Sequence, residues 1–450
     1  MTELLSLVTG VAERARSDED LEAFAVHGRE FQVKTYDGEV ESLSSAEPRG
    51  VGVRIVKEGR VGFAYTTDLT EAGIEDAVVQ ARDNSTHGTP DEAVALADAW
   101  SRQPDDVAGI FDPGQARVSP EDKVAFALEL ERATRTFDPR IRAVEEAVYA
   151  DGDAEAAIAS STGIAGVYRT TSAWCYAVAI AEDAGDTEVG FDFDLAAGIA
   201  ALDAGDVATR AAGRALGVLG AKKIPSERIP VLFEPYVAGQ FLGVLGSALT
   251  AEAVQKGRSL FAGRVGEQVA ADDVSLIDDG RIEAAPGSAP WDGEGVPTQR
   301  TEVIGSGTLA SFLYDTTSAR REGRASTGNA ARSGFKSTPH PSPTNLFFAS
   351  TGESRDELLQ RAGRAFLVQD FHGVHSGANA ISGDFSVGAT GRIVEGGETG
   401  APIKEVTIAA PMLEILKGIV AVADDRRWLP FGGSYGGATT LVAEMTVAGS

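Results

Sequence analysis

Alternating apolar and polar residues fill much of the first hundred positions. The alternating runs at 31–36 and 39–43 flank Asp37-Gly38, and those at 50–57 and 60–66 flank Glu58-Gly59. A period of two residues interrupted by a two-residue turn is typical of a β-hairpin. The pattern therefore predicts two hairpins near the N-terminus.

Helical signals follow these strands and recur later in the chain. Residues 68–83 begin like a capping box and continue with apolar positions three and four residues apart. Ser119-Pro120 places a capping hydroxyl before a proline at the first helical position. Further helices are expected at about 206–220, where a glycine ends the pattern, and at 354–366, where another capping box begins it.

The middle of the chain is rich in predicted strands. Asp151-Gly152-Asp153 and Thr162-Gly163 have the composition of turns and divide it into short apolar runs. We therefore expect four strands, at 141–150, 154–160, 165–169 and 172–181.

Together these elements predict an α+β protein of three regions. An N-terminal α+β domain with a twisted sheet covers 1–113, and a central, β-rich α+β region covers 114–224. Residues 225–450 form an antiparallel, barrel-like β domain with a few helices. A chain of 450 residues is too long for one ordinary core, which favours such a division.

The composition excludes several classes of function. The chain has 67 acidic and 40 basic side chains and a net charge of −27, whereas nucleic-acid binding needs a concentrated cationic surface. No run approaches the roughly 18 apolar residues of a membrane span. The N-terminus lacks the basic start of a signal peptide. We expect a cytoplasmic protein that binds neither nucleic acid nor a membrane.

Cys175 is the one cysteine of the sequence, which excludes an internal disulfide framework and a cysteine-cluster metal site. It lies in the apolar run 172–180, away from any base or helix N-terminus that would lower its pKa. We expect a buried structural thiol.

A segment near the middle of the chain, from Lys256 to Gln268, carries the most specific signal. It reads KGRSLFAGRVGEQ and resembles the segment that follows the zinc-binding helix in metallopeptidases of the TldD/PmbA (TldE) family. Weaker likenesses to this family occur in order at 33–42, 49–54, 293–298 and 382–389. The resemblance thus covers almost the whole chain.

The resemblance also locates a zinc-binding helix that lacks its ligands. Catalytic subunits of the family carry His-Glu-x-x-x-His here, but Leu242 and Ser247 replace the histidines and Gly243 replaces the glutamate. A hydrolytic zinc site needs about three protein ligands and a general base. The family's C-terminal cysteine ligand is absent from 431–437 as well. The chain is therefore similar to the TldE/PmbA-type subunit, with no catalytic residue and no cofactor of its own, and zinc is expected in its partner.

Other residues are candidates for contact with substrate or partner. His372 and His375 form His-x-x-His with Asp384 nearby in sequence, so a two-histidine, one-carboxylate metal site is one alternative. They lie in a glycine-rich turn whose geometry is not preset, which favours hydrogen bonding within a loop or contact with a partner. Ser247 is a further contact candidate.

The resemblance implies a non-catalytic subunit that pairs with a zinc-bearing TldD-like subunit. The pair would process unfolded peptides or propeptides, held as added β-strands by backbone hydrogen bonds, and peptide natural-product maturation is one such role. Two alternatives stay open. One is a stand-alone homodimer that binds peptides or a metabolite, and the other is a hydrolase with a divergent site.

Overall fold

The computed structural model describes residues 2–429 and 433–449. It confirms the mixed α+β architecture, with one large sheet in the first half of the chain and a closed, barrel-like sheet in the second. The elements of the first half are, in order, α1 (Glu3–Ala12), β1 (Asp20–Tyr36), β2 (Glu39–Ala46), β3 (Arg49–Lys57), β4 (Arg60–Thr66), α2 (Glu71–His87), α3 (Pro120–Thr136), β5 (Ile141–Ser160), β6 (Ala165–Asp183), β7 (Asp186–Ala196) and α4 (Ala204–Val218).

The seven strands of the first half form one antiparallel sheet in the order β4-β3-β1-β5-β6-β7, with β2 paired to the second half of β1. Both predicted hairpins are present, and Asp37, Gly38, Glu58 and Gly59 all have the positive φ that such tight turns require. All four helices cover one face, because α1 and α2 pack on the first half of β1 while α3 and α4 pack on the second.

The predicted break at Asp151-Gly152-Asp153 is wrong. These residues lie in the middle of β5, paired with β1 on one side and with β6 on the other. The predicted strands at 165–169 and 172–181 likewise form one strand, β6. Hydrogen-bonding neighbours on both sides hold the chain extended despite its turn composition.

The first sheet crosses the predicted boundary at residue 113, since β1 pairs with β5 along residues 22–35. Regions 1–113 and 114–224 therefore contribute to one sheet, and the three-domain division itself stays a prediction.

The second half continues with many short elements. They are β8 (Glu227–Phe233), α5 (Pro235–Ala248), α6 (Ala251–Gln255), β9 (Leu276–Asp279), β10 (Arg300–Gly305), β11 (Thr308–Leu309), α7 (Thr316–Arg321), β12 (Ala330–Ala331), β13 (His340–Pro341), β14 (Asn345–Phe348), α8 (Arg355–Ala362), β15 (Arg364–His372), α9 (Val374–Gly377), β16 (Ser386–Glu395), β17 (Glu398–Ala409), α10 (Met412–Gly418), β18 (Ile419–Val422), β19 (Arg427–Leu429), β20 (Ser434–Gly437) and β21 (Thr440–Ala448).

A closed sheet runs through β17, β16, β15, β8 and β21 and returns to β17. Most of its pairs are antiparallel, and β8 with β15 is a parallel pair. A second sheet has the order β11-β10-β9-β14-β20-β19. Helix α5 fills the space beside β8, where Phe241 packs between Phe233 and Phe385.

Helix α8 begins at the predicted capping box, where Ser354 and Glu357 exchange hydrogen bonds. It ends at Ala362 rather than near Phe366, because Gly363 has a φ of 65° and Phe366 is buried in β15. Among the helices of residues 2–429 and 433–449, none is long and apolar enough to span a membrane.

Candidate functional site

Helix α5 presents the three positions that the sequence singles out. Leu242 is completely buried in the core of the second half. Gly243 lies beside the ring of Tyr435, 3.5 Å from where a β-carbon would stand. Ser247 is exposed, and its hydroxyl donates to the carbonyl of Val244 at 2.8 Å.

The residues of this helix do not fit a zinc ion. Zinc sites use nitrogen, sulfur or carboxylate oxygen ligands with an open position for water. Leu242 and Gly243 offer no such atom, and within the described parts of the chain no three His, Cys, Asp or Glu side chains group closely enough to hold a metal ion. The segment 431–437 contains no cysteine, and its first two residues belong to the stretch 430–432 that lies outside the described residues.

Small residues on α5 serve packing instead. A β-carbon at Gly246 would stand 3.0 Å from the Tyr435 ring and 3.1 Å from Pro343. Burial raises the pKa of the Tyr435 hydroxyl, and the nearby charge of Asp278 adds to the effect. The helix face that holds ligands in catalytic members of the resembled family here accommodates an aromatic ring.

The segment from Lys256 to Gln268 ties the end of α5 to the second sheet. The Ser259 hydroxyl donates to the carbonyl of Ala248 at 2.6 Å, and Phe261 is completely buried. Gly266 and Glu267 exchange backbone hydrogen bonds with Leu309 of β11 at 2.8 and 3.0 Å. This segment is a structural connection between the helix and the sheet.

A buried ion network joins the two halves of the molecule at the turn 293–298. Glu294 accepts from Arg54 of β3 at 3.1 Å and from the backbone N–H of Thr316 at 2.8 Å. Arg54 also donates to both carboxylate oxygens of Glu22 on β1, at 3.2 and 2.7 Å, and Arg332 completes the network by donating to Glu22. All four charged side chains are buried.

This network was not predicted from the sequence, although one signal of it was present there. Arg54 is a lone charge in the apolar strand 51–56, and an arginine that is to be buried in a strand needs an acidic partner. Burial opposes the ionisation of Glu22, but Arg332 and Arg54 together hold its pKa below the usual value.

A second group of charges anchors the start of α5. Glu234 precedes the first turn and pairs with Arg214 at 2.9 Å and with Arg355 at 3.4 Å. Arg214 in turn contacts Asp192 of β7 at 3.0 Å, and Asp192 also pairs with Arg427 at 2.8 Å. The helix is thus held against the first sheet as well as inside the second half.

Two cavities open along the uncovered face of the first sheet. The larger, about 680 Å³, lies between residues 170–174 of β6 and the segments 284–289 and 342–344. The smaller, about 430 Å³, lies over residues 28–32 of β1. Trp174 borders both cavities and stacks on Tyr176 with a centroid separation of 5.7 Å.

The larger cavity has neutral, partly aromatic walls. Tyr168 stands edge-on to Trp291, and burial raises the pKa of its hydroxyl to about 12. The charged groups among the described lining residues are already paired: Asp292 accepts three backbone N–H groups, and Arg332 donates to Glu22. Such walls suit an uncharged ligand of mixed polarity.

The structure separates the remaining candidate residues. His372 Nε2 lies 2.9 Å from Thr390 Oγ1, while Asp384 accepts from the Ser382 hydroxyl at 2.6 Å. His375 is exposed on α9. The three residues are exposed, as a role in partner contact requires, but they are not gathered into a metal site within the described residues.

Cys175 is fully buried, and burial raises its pKa to about 12.

Three family models match consecutive parts of the chain. They describe the PmbA/TldA metallopeptidase domain 1 at 21–85, its central domain at 114–219 and its C-terminal domain at 226–449. Metalloprotease PmbA of Escherichia coli O157:H7 is 29% identical over 93% of this chain and 90% of its own length. The metalloprotease TldD homolog of Haemophilus influenzae is 26% identical over 86% and 82%.

Solved structures agree with these matches. A Thermotoga maritima protein described as a candidate modulator of a DNA gyrase has a TM-score of 0.89 at 27% identity, with 99% of both chains covered. TldE from Thermococcus kodakarensis has a TM-score of 0.87 with 99% of both chains covered, and at 22% identity this likeness shows the fold alone. On the domain models and the relatives together, the chain belongs to the PmbA/TldD metallopeptidase family.

Proposed function

We propose that this chain is the non-catalytic, TldE/PmbA-type subunit of a heterodimeric zinc metallopeptidase. The proposal rests on the residues of α5 at the positions of the zinc ligands and the base. They are a buried leucine, a glycine, and a serine whose hydroxyl is hydrogen-bonded to a carbonyl of its own helix. Leu242, Gly243 and Ser247 supply no ligand and no proton acceptor for a metal-bound water. Zinc and the catalytic base would then come from a TldD-like partner.

The substrate class is proposed to be unfolded peptides or propeptides, with peptide natural-product maturation as a specific case. The neutral walls of the larger cavity support this, because a peptide backbone is uncharged and carries both polar and apolar groups. A role in the cytoplasm is part of the same proposal. Relatives named metalloprotease PmbA and metalloprotease TldD are consistent with a proteolytic complex.

Co-expression with a TldD-type chain from the same genome tests the proposal. The two chains should co-purify and cleave an unfolded casein or a propeptide, and a chelator should abolish the cleavage. The matched control is the same complex with glutamine in place of the glutamate of the partner's His-Glu-x-x-x-His. Absence of a complex, or of chelator-sensitive cleavage, would contradict the proposal.

A stand-alone peptide- or metabolite-binding homodimer is the second candidate. It is favoured by the larger cavity, whose described lining residues form neutral walls that suit an uncharged peptide or metabolite. Retention of a peptide by the purified chain alone, in the absence of the TldD-type subunit, would support this candidate. Cleavage by the chain alone that survives a chelator would instead indicate a hydrolase with a divergent site.

A further inference from the structure

Four polar side chains of β6 lie in a row on the sheet face that the helices leave uncovered. Successive residues of a strand point to opposite faces, and the intervening Ala173 and Cys175 pack in the core beneath the helices. The four residues, called here the β6 row, are Tyr168, Thr170, Ser172 and Trp174. All four line the larger cavity, and the last three also line the smaller one.

The β6 row has unused hydrogen-bonding groups. Within residues 2–429 and 433–449, its three hydroxyls and its indole N–H have no hydrogen-bond partner. Burial raises the pKa of the Tyr168 hydroxyl to about 12, so this group keeps the proton that it can donate. The next residue on this face, Tyr176, donates to Glu146 at 2.7 Å, which ends the row at Trp174. A ligand can therefore accept hydrogen bonds from four donors along one strand.

The hydroxyls of the facing wall, which the second half of the chain forms, are already bonded. Ser288, Thr344 and Ser434 donate at 2.6, 2.7 and 2.7 Å to groups that do not line the cavity. Pro286 and Pro343 add apolar surface to the same wall. Among the described lining residues, hydroxyls without a partner therefore lie along β6 alone.

The spacing of the β6 row matches the repeat of an extended peptide. Neighbours in the row are two residues apart on one strand, which is about 6.6–6.8 Å. The backbone groups of an extended peptide that point to one side also recur at every second residue, with the same repeat. From its first to its last residue the row spans about 20 Å, the length of about seven extended residues.

We propose that the β6 row holds the backbone of one extended peptide, whose carbonyl groups on one side accept hydrogen bonds from it. The inference rests on the peptide substrates of the proposed function and adds where and how this chain holds them. Recognition through the backbone tolerates any peptide sequence, because every residue carries the same carbonyl group.

The peptide lies on the face of the sheet and not at its edge. On one side β5 pairs with β6 along the whole row. On the other side β7 pairs with β6 from Ala173 onwards, and Ile110 accepts from the backbone N–H of Thr171 at 2.9 Å. Because these neighbours occupy the edge, the side chains of the row replace the strand addition expected from the sequence.

Size and charge favour a single peptide chain as the occupant. A cavity of about 680 Å³ has the volume of a small-ligand pocket and excludes a folded domain. Its charged lining groups, Asp292 and Arg332, are both paired, so they leave no net demand for a charged ligand. An uncharged backbone meets these conditions.

The smaller cavity adds charge at one end of the row. Asp151 pairs with Lys123 at 2.7 Å, and Arg29 lies opposite Asp153 on the neighbouring strand. Glu30 is exposed beside them and leaves the acids in excess. A basic residue at the end of the peptide that lies here should therefore bind better than an acidic one.

Fluorescence anisotropy on the full chain alone tests the row. The probe is a fluorescein-labelled, end-capped peptide of seven neutral residues, and it should bind saturably. Thr170→Val and Ser172→Ala should each raise its dissociation constant about three- to tenfold, because each removes one hydroxyl with little change of shape. Thr187→Val is the matched control, an exposed threonine of β7 that lines neither cavity, and should bind like wild type. Thermal unfolding verifies that each variant is folded.

Two N-methylated peptides of equal composition provide a second readout. Methyl groups on the third and fifth residues lie on one edge of an extended peptide, so the other edge can still face the row. Methyl groups on the third and fourth residues block both edges. The first peptide should bind within about twofold of the unmethylated one, and the second should lose at least about tenfold in affinity.

Four results would overturn the inference. The peptide could fail to bind, with or without binding of a neutral hexasaccharide, the other ligand class that hydroxyls and an indole suit. Thr170→Val and Ser172→Ala could both bind like wild type, or the two methylated peptides could bind equally. In the complex with a TldD-type chain, Thr170→Val could leave KM unchanged. All four leave the proposed zinc partner standing, since co-purification and chelator-sensitive cleavage test it separately.

Discussion

Arg54 on β3 donates a hydrogen bond to Glu294 across 3.1 Å in a region closed to solvent. The two residues are 240 positions apart in sequence, and their contact joins the first sheet to the family turn at 293–298. The same arginine also pairs with Glu22, so one guanidinium bridges two buried carboxylates, and Arg332 supplies the second positive charge. A metallopeptidase-family motif thus acts here as a structural joint between the halves of the molecule.

Arg54→Ala is expected to lower the free energy of unfolding by about 3–5 kcal/mol, because it removes the ion-pair partner of buried Glu294 and leaves buried Glu22 with Arg332 alone. Urea denaturation monitored by circular dichroism measures the effect. Arg102→Ala is the matched control, since Arg102 pairs with Asp105 on the exposed surface and should cost no more than about 0.5 kcal/mol. Equal losses in both variants would contradict the assignment of a buried joint.

The stability of the protein should depend on pH through Asp278. Burial raises the pKa of this carboxyl from 3.8 to about 6, although Asn329 and Thr344 hydrogen-bond to it. Between these two values the folded state keeps a proton that the unfolded state has released. This group therefore makes unfolding easier as pH rises through that window, by up to about 3 kcal/mol.

Asp278→Asn removes that contribution and isolates it. The pKa of Glu22 is lowered, so its contribution to stability has the opposite pH dependence and is lost as pH falls through its folded pKa. Because both groups act in the wild type, the effect of Asp278 is obtained from the difference between wild type and variant at each pH. The difference in unfolding free energy between the two proteins should change between pH 3.8 and about 6 and stay flat above. A difference that is constant across this range would show that Asp278 is ionised throughout.

Two glycines of α5 should respond oppositely to alanine. Gly246→Ala places a β-carbon 3.0 Å from Tyr435 and should cost about 1–3 kcal/mol through overpacking. Gly243→Ala finds an ordinary 3.5 Å contact and should gain up to about 1 kcal/mol from helix propensity. Thermal unfolding of the two variants checks this packing against Tyr435. The melting temperature should fall for Gly246→Ala and rise for Gly243→Ala.

Restoring the motif should not restore the metal. The triple variant Leu242→His, Gly243→Glu, Ser247→His places a polar ring at a fully buried core position and should lose at least about 2 kcal/mol of stability. Metal analysis after dialysis should show no stoichiometric zinc, with wild type as the baseline. If the variant bound one zinc per chain and cleaved peptides, the expectation would be wrong, and the three side chains would be all that this chain lacks for a catalytic zinc site.

Trp174 should influence substrate binding by the proposed complex, because it borders both cavities. Trp174→Ala is expected to raise KM for an unfolded peptide while kcat changes little, since the proposed complex has its zinc site in the other subunit. Trp428→Ala serves as the control, as its ring packs against Phe347 rather than lining either cavity. A fall in kcat at constant KM would place Trp174 outside the binding surface.

Local chemistry in the sequence determined several features without help from the rest of the fold. Turn residues and capping groups within a few positions determine the Asp37-Gly38 hairpin and the helix starts at Ser119 and Ser354. The missing ligands at Leu242, Gly243 and Ser247 are likewise a matter of residue type, because no fold gives leucine or glycine a metal-binding atom.

Tertiary structure decided what depends on distant neighbours. Asp151-Gly152-Asp153 is extended because β1 and β6 pair on its two sides, which outweighs its local preference for a turn. Arg54 and Glu294 meet because two regions of chain fold against each other, and no local pattern connects residues so far apart. Leu43 is exposed although its cross-strand neighbour Val33 is buried, and only the packed structure reveals this difference.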